Sequence, residues 1–315
     1  MSQKKAVKRG RAASNSPARA LVECVPYRTT GGAFIPNVTE LHAEHESPNE
    51  RLAVAHLALC RDVDTLASQP PCDTYRDDDG ELRRYTPDFI VSTRSFRLIL
   101  EVKALAFLVN EASLRKYAAI ARHYLDQRQP FAFLVDAQLE VLPRSASVRL
   151  LFRYATSTAP ASVVDQATAV LAKGAMRISD LCGQAGLQLV DVYTLIATKR
   201  LCIDWDRPVS TDAMVSLPDQ PYGGLKLEHI LRSTRFGGLL EELAVGRRPA
   251  DQQVLADAQT WRQSRCAPTP FSFVGGFPKR TVFGGLFESD GLPRAPHRRR
   301  DYAPGRRGEQ NDGEQ

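Results

Sequence analysis

The chain has 315 residues, 43 % of them apolar, with 42 Lys/Arg against 36 Asp/Glu. That length suits one large domain or two, and no run of 18 apolar residues is present, so no transmembrane helix is expected. Six cysteines, at positions 24, 60, 72, 182, 202 and 266, form neither a CxxC pair nor a Cys/His cluster of zinc spacing; they read as reduced thiols of a cytoplasmic protein and argue against an iron–sulfur nuclease.

The net charge of +6 is concentrated at the ends. Residues 1–28 hold seven Lys/Arg against one Glu, and 291–315 hold six Arg against four acids, so the body is faintly acidic. Basic tails suit attraction to a phosphate backbone, although solubilising tails share that composition. No apolar stretch follows the first charged residues, and no secretory leader is expected.

Residues 1–39 read as a basic, largely disordered tail. The stretch SPNERLAVAHLALCRDVDTLASQ then opens a helix. Ser47 is its N-cap, Pro48 suits the first helical position, and Glu50 follows the cap by three. Leu52, Ala55, Leu59 and Val63 recur at helical spacing. TYRDDDGELRRY predicts two short strands about Asp79-Gly80, with PDFIVST and FRLILEVKAL as two further strands. Asn110 caps a helix over EASLRKYAAIARHYLDQR, with Leu114, Tyr117, Ala121 and either Tyr124 or Leu125 facing inward. FAFLVDA is a buried strand, closing an α/β module over 40–142.

From 143 to 221 the pattern becomes helical. SVVDQATAVLAKG, RISDLCGQAG and LQLVDVYTLIATKRL are short amphipathic pieces, followed by LCIDWD and TDAMVSL as strands. This is the plan of a small winged-helix-like α+β domain, and a small helical bundle would give the same string. Residues 222–315 form an extension with FGGLL (236–240), VGGF (274–277), FGGLF (283–287) and an Arg-rich end. Aromatic-Gly-Gly repeats cannot build a core alone. They can anchor onto a partner or onto the protein's own body, or be loops pinned by an occasional Phe.

The chemistry concentrates in YTPDFIVSTRSFRLILEVKAL (85–105). On a strand, Glu101 and Lys103 project to one face, while Leu98, Leu100, Val102 and Ala104 project to the other. A charge in such a strand is costly unless an ion pair, a metal or solvent compensates it. Asp88 opens the preceding strand, and a hairpin connection folds it back beside Glu101. Two apposed carboxylates favour a hard divalent cation, and a lysine beside it can orient or help deprotonate an attacking water.

The order Pro87-Asp88, then Glu101-Val102-Lys103, on paired strands resembles the PD-(D/E)xK nucleases, the restriction-endonuclease-like superfamily. More narrowly, SPNERLAV, QPPCDTY, YTPDF and LILEVKAL, in that order, resemble the TnsA family of transposon-end endonucleases. The likeness covers roughly residues 45–217. It implies a restriction-endonuclease-like α/β core followed by a winged-helix-like domain. It further implies that Asp88, Glu101 and a helix-borne Glu50 bind Mg2+ (or Mn2+), and that Lys103 positions the attacking water. The implied partners are DNA, a transposase subunit of the DDE type and an ATP-dependent regulator of transposition. The implied reaction is phosphodiester hydrolysis at transposon ends. Asp136-Ala137-Gln138 stands where the family suggests a Thr-Glu-like ending, and the two tails have no counterpart there.

Other readings stay open at this level. The enzyme could be a restriction or defence nuclease, or the chain could be a DNA-binding assembly subunit that does not cleave. Glu50 could serve only its capping box, and Glu-Val-Lys could be an edge-strand ion pair worth under ~1 kcal/mol. His123 reads as a packed or surface histidine. The run ELHAEHE (40–46) has metal-binding side chains without a constraining frame. Gln69 and Arg84 lie near the hairpin, where phosphate contact is a matter of proximity.

Overall fold

The computed structural model describes residues 30–266 apart from 37 and 41, with side chains described as far as 261. The tail before residue 30, the VGGF and FGGLF repeats and the Arg-rich end lie outside the described residues. The protein is mixed α/β. Among the described residues, no helix is long and apolar enough to cross a membrane.

Order begins before residue 40. Strand β1 (Gly31–Ala33) pairs antiparallel with β2 (Ala43–His45). Ile35, Val38 and Thr39 between them are buried. Helix α1 (Pro48–Leu59) follows, with the predicted Ser47 cap accepting from the Glu50 amide. Every residue from Leu52 to Leu59 is buried, because α1 lies between a sheet and other helices rather than at the surface. The helix stops at Leu59, and the predicted fourth turn through Val63 is absent. Thr65–Ser68 is instead strand β3, in which Leu66 and Ser68 are buried and Thr65 and Ala67 exposed. That alternation of period two is what a sheet edge with one packed face requires.

Strands β4 (Asp73–Arg76) and β5 (Leu82–Tyr85) form the predicted hairpin, a two-stranded sheet of its own. Gly80 takes φ +81° in its turn, a conformation that favours glycine. Next come β6 (Phe89–Ser92), β7 (Arg97–Lys103), the short α2 (Leu105–Leu108), α3 (Glu111–Asp126) and β8 (Phe131–Val135). The central sheet has the order β3-β6-β7-β8. The first three strands run antiparallel and β8 joins β7 in parallel after the crossover through α2 and α3. Leu98, Leu100 and Val102 join the core on the α1 side, while Ile99, Phe131 and Phe133 join the core on the α3 side. On α3 it is Tyr124 that faces inward; Leu125 is exposed.

After α4 (Asp136–Leu139) and α5 (Arg144–Leu151) come α6 (Ala161–Leu171), β9 (Met176–Arg177), α7 (Ile178–Ala185), α8 (Leu189–Ala197), β10 (Cys202–Ile203) and β11 (Met214–Ser216). Gly186 ends α7 in the left-handed region with φ +67°. The small sheet has the order β10-β11-β9, antiparallel throughout. No gap in packing separates this module from the first. A single apolar core runs from α1 and the sheet through Val148 and Leu151 to Ile178, Leu195 and Val215.

The segment expected to loosen after residue 222 is folded as far as it is described. It forms α9 (Leu227–Leu231), α10 (Gly237–Ala244) and α11 (Gln252–Cys266). The first aromatic-Gly-Gly repeat anchors onto the protein's own body: Phe236, Leu239, Leu240 and Leu243 are buried in the α3-side core. Arg144, 5 % exposed, fastens this segment to α4 by donating to the Gln138 carbonyl and the Ser233 hydroxyl, each at 2.7 Å.

Candidate active site

The β6–β7 register pairs Phe89 with Leu100. One step further, Asp88 stands across from Glu101, as the hairpin connection predicts. Asp88 Oδ2 accepts from the Val102 amide at 2.8 Å and faces Lys103 Nζ at 3.5 Å. Lys103 Nζ lies 2.8 Å from Glu101 Oε1, so one ammonium bridges both carboxylates. The side chains of Asp88 and Glu101 are 13 % and 3 % exposed, against 32 % for Lys103. A solvated edge-strand pair would be far more exposed than this.

Glu101 has further partners. The Tyr85 hydroxyl donates to Oε2 at 2.5 Å and the Tyr117 hydroxyl to Oε1 at 2.8 Å. With Lys103, three donors satisfy one buried carboxylate, which is how the sheet tolerates it.

Glu50 sits at the first turn of α1. Its Oε2 accepts from the Glu46 amide at 2.7 Å and its Oε1 from the Ser47 hydroxyl at 2.8 Å, while its own amide donates to Ser47 Oγ at 3.2 Å. Ser47 caps the helix as expected, but the return bond of the Glu50 carboxylate goes to the Glu46 amide, one residue before the N-cap amide that a reciprocal capping box uses. Glu50 also faces the same open cleft as Asp88 and Lys103. That cleft, of about 610 Å³, is lined further by Glu46, Gln69, Cys72, Arg84, Tyr85 and Thr86. Glu101 stands behind this lining, 2 % exposed.

The electrostatics follow from crowding of negative charge. Burial, then the Glu101 charge, then that of Glu50 push the Asp88 carboxyl well above the usual range, against the pull of Lys103 and the Val102 amide. For Lys103, burial works to lower its pKa, but the Glu101 and Asp88 carboxylates outweigh it and hold the ammonium. Burial, then Glu101, raises both Tyr85 and Tyr117, so each phenol keeps its proton and donates. Cys72 is lowered by its hydrogen bond from Arg84, opposed by burial and aided by Thr86.

The donor set is all oxygen and anionic, which suits a hard divalent cation. Asp88 and Glu101 are the pair that would face it, and the surplus of negative charge around Asp88 is the kind a cation relieves. Among the described residues, no group of three His, Cys, Asp or Glu side chains stands gathered for a metal. Glu50 is occupied by its cap.

Of the remaining sequence candidates, Gln69 and Arg84 both reach the cleft. Gln69 holds φ +48°, an uncommon conformation for a residue other than glycine, and its amide donates to the Asp88 carbonyl at 2.9 Å. From the ELHAEHE run only Glu46 lines the cleft. His123 lies outside the lining and contacts Asp73 Oδ2 at 3.1 Å. Asp136, 1 % exposed, accepts from the Leu105 amide at 2.9 Å and so ties the start of α4, directly after β8, to α2.

Sequence reasoning missed the roles of Tyr85 and Tyr117. Helical spacing turns Tyr117 inward, but only the paired strands reveal that a carboxylate awaits it there. No family model matches the chain, and no curated protein matches it in sequence.

Proposed function

We propose that the chain is a magnesium-dependent DNA endonuclease of the PD-(D/E)xK type, acting as the nuclease subunit of a TnsA-like heteromeric transposase. The observation that carries this reading is the convergence of Asp88, Glu101 and Lys103 on neighbouring strands, beside a cleft that also receives Glu50. The helix α1, the antiparallel β3-β6-β7 strands, the crossover helix and the parallel β8 support a restriction-endonuclease-like core. The order α6, β9, α7, α8, β10, β11, with β11 central in its sheet, supports a winged-helix-like second module.

Asp88 and Glu101 would hold Mg2+, or Mn2+ by the same donor chemistry, with Glu50 completing the set once released from its cap. A bound ion supplies a more acidic water and charge for the developing phosphorane. Lys103, held as an ammonium by two carboxylates, donates hydrogen bonds and thus positions water or a phosphate oxygen; it does not serve as the base. Arg84 offers a second cation on the wall of the cleft for the DNA phosphate. Hydrolysis forms a bond from the water oxygen to phosphorus and breaks a P–O bond to sugar, whose oxygen leaves with a proton. The partners in this reading are DNA, a DDE-type transposase and an ATP-dependent regulator.

One observation favours a second reading, a DNA-binding assembly subunit that does not cleave. Both Glu101 oxygens are already engaged by Tyr85, Tyr117 and Lys103. Nicking of supercoiled plasmid carrying transposon ends, with Mg2+ and the transposase partner present, separates the two. Asp88→Ala is expected to lower the rate on the order of 10³-fold with folding intact by circular dichroism. Equal nicking by parent and variant overturns the assignment. A parent that neither nicks nor takes up Mn2+ calorimetrically moves the conclusion to the second reading. Cutting of end-free DNA by the chain alone points to a defence nuclease.

A further inference from the structure

Glu101 is gripped from three directions. Tyr85 closes β5, which belongs to the separate hairpin, and Tyr117 stands midway along α3, while Lys103 lies two residues along β7 itself. Both phenols are fixed in turn. Tyr85 packs edge-on against Tyr75 and Tyr124, with centroids 6.4 and 6.2 Å away, and Tyr117 packs edge-on against Phe133 at 5.6 Å. Tyr85 and Tyr117 are buried at 7 % and 4 % exposure, so their rings have little freedom to turn.

A phenylalanine would fill either place equally well, and a buried hydroxyl is retained at a cost unless it has a partner. Here both hydroxyls have the same partner. A carboxylate offers roughly four lone-pair sites. Tyr117 and Lys103 take two on Oε1 and Tyr85 takes one on Oε2, which leaves capacity on Oε2.

We propose that Tyr85 and Tyr117 are positioning residues that fix the carboxylate of Glu101 in the orientation a divalent cation needs. The inference rests on the endonuclease reading above and deepens it. Each hydroxyl is spent on Glu101, and each phenol acts through it. Partners in this outer position commonly change metal affinity by about 10- to 100-fold when removed.

The test uses the full chain with Mn2+ alone as the probe, titrated calorimetrically without DNA. Tyr85→Phe, Tyr117→Phe, the double variant and Glu101→Ala are compared with the parent. Each Phe variant is expected to weaken Mn2+ binding about 10-fold and the double variant more, with thermal melting close to the parent. In nicking assays the Mn2+ concentration for half-maximal rate should rise by a similar factor, while the rate at saturating Mn2+ changes less. If Glu101→Ala abolishes Mn2+ binding and both Phe variants bind as the parent does, the phenols only fill the core and the inference fails alone. If parent and Glu101→Ala behave alike towards Mn2+, the endonuclease reading falls and takes the inference with it. Should one Phe variant melt early, the other still decides, because the two rings sit on different elements.

Discussion

The two faces of β7 obey one geometric rule and come to opposite ends. Towards α1, Leu98, Leu100 and Val102 are aliphatic and buried along the whole strand. On the other face, the strand begins with an exposed Arg97, buries Ile99 towards α3, and passes to Glu101 and Lys103 as it nears the cleft. The first face is dry throughout, and the second is dry at Ile99 and Glu101. Only the second is equipped with donors: two phenols, an ammonium and, for Asp88, the Val102 amide. Burial alone therefore does not decide which residue types a strand accepts. The supply of hydrogen-bonding partners on that side decides it.

The largest test of this contrast is on the aliphatic face. Leu100→Ala should cost about 2–5 kcal/mol in chemical denaturation, because Leu100 is fully buried between the sheet and α1. A loss below ~1 kcal/mol would mean that this face is not packed as a core. His56 offers a sharper probe of the same side, being the one histidine in α1 and fully buried there. Burial first, and the charges of Arg144 and Arg149 after it, lower its pKa from 6.5 to about 4, against the pull of its hydrogen bond to the Leu52 carbonyl. Its Nε2 has no partner among the described residues. Because the folded-state value is depressed, the unfolded chain binds the extra proton between these two values. Stability is then full above pH 6.5 and falls as the pH drops towards 4, by up to about 3 kcal/mol. His56→Met should flatten that slope in denaturation curves taken across the interval, and an unchanged slope would assign acid sensitivity to other groups. The smallest effect is expected on the equipped face. Glu101→Gln relieves crowding with Asp88 and leaves Lys103 a carboxylate partner, so thermal stability should hold or rise by up to about 1 kcal/mol. A melting temperature many degrees lower would make the Glu101 charge a structural requirement.

Much of the site was legible because strand parity is unforgiving. Alternation alone placed Glu101 with Lys103, and the short connection returned Asp88 beside them. The Ser47 cap also read correctly, while the Glu50 carboxylate returns to the Ser47 hydroxyl and the Glu46 amide. Three features escaped for physical reasons. Strand β3 is only Thr65–Ser68 and follows a helix whose apolar spacing happens to run on to Val63. The pairing at Gly31–Ala33 depends on partners in Ala43–His45, and two glycines in three residues give no strand signal. Helix α10 begins with Gly237-Gly238, which disfavours a helix locally; burial of Leu239, Leu240 and Leu243 against α3 and β8 overrides it.

Strand β5 has a mechanical consequence. Arg84 and Tyr85 are neighbours in sequence and point to opposite faces of the hairpin, the one exposed and the other buried on Glu101. Three residues on, the same stretch of backbone delivers Asp88. A ligand held by Arg84 would thus bear on the mount of Tyr85, which donates to Glu101. The residue that orders Glu101 and the cation on the cleft wall are carried by one short strand.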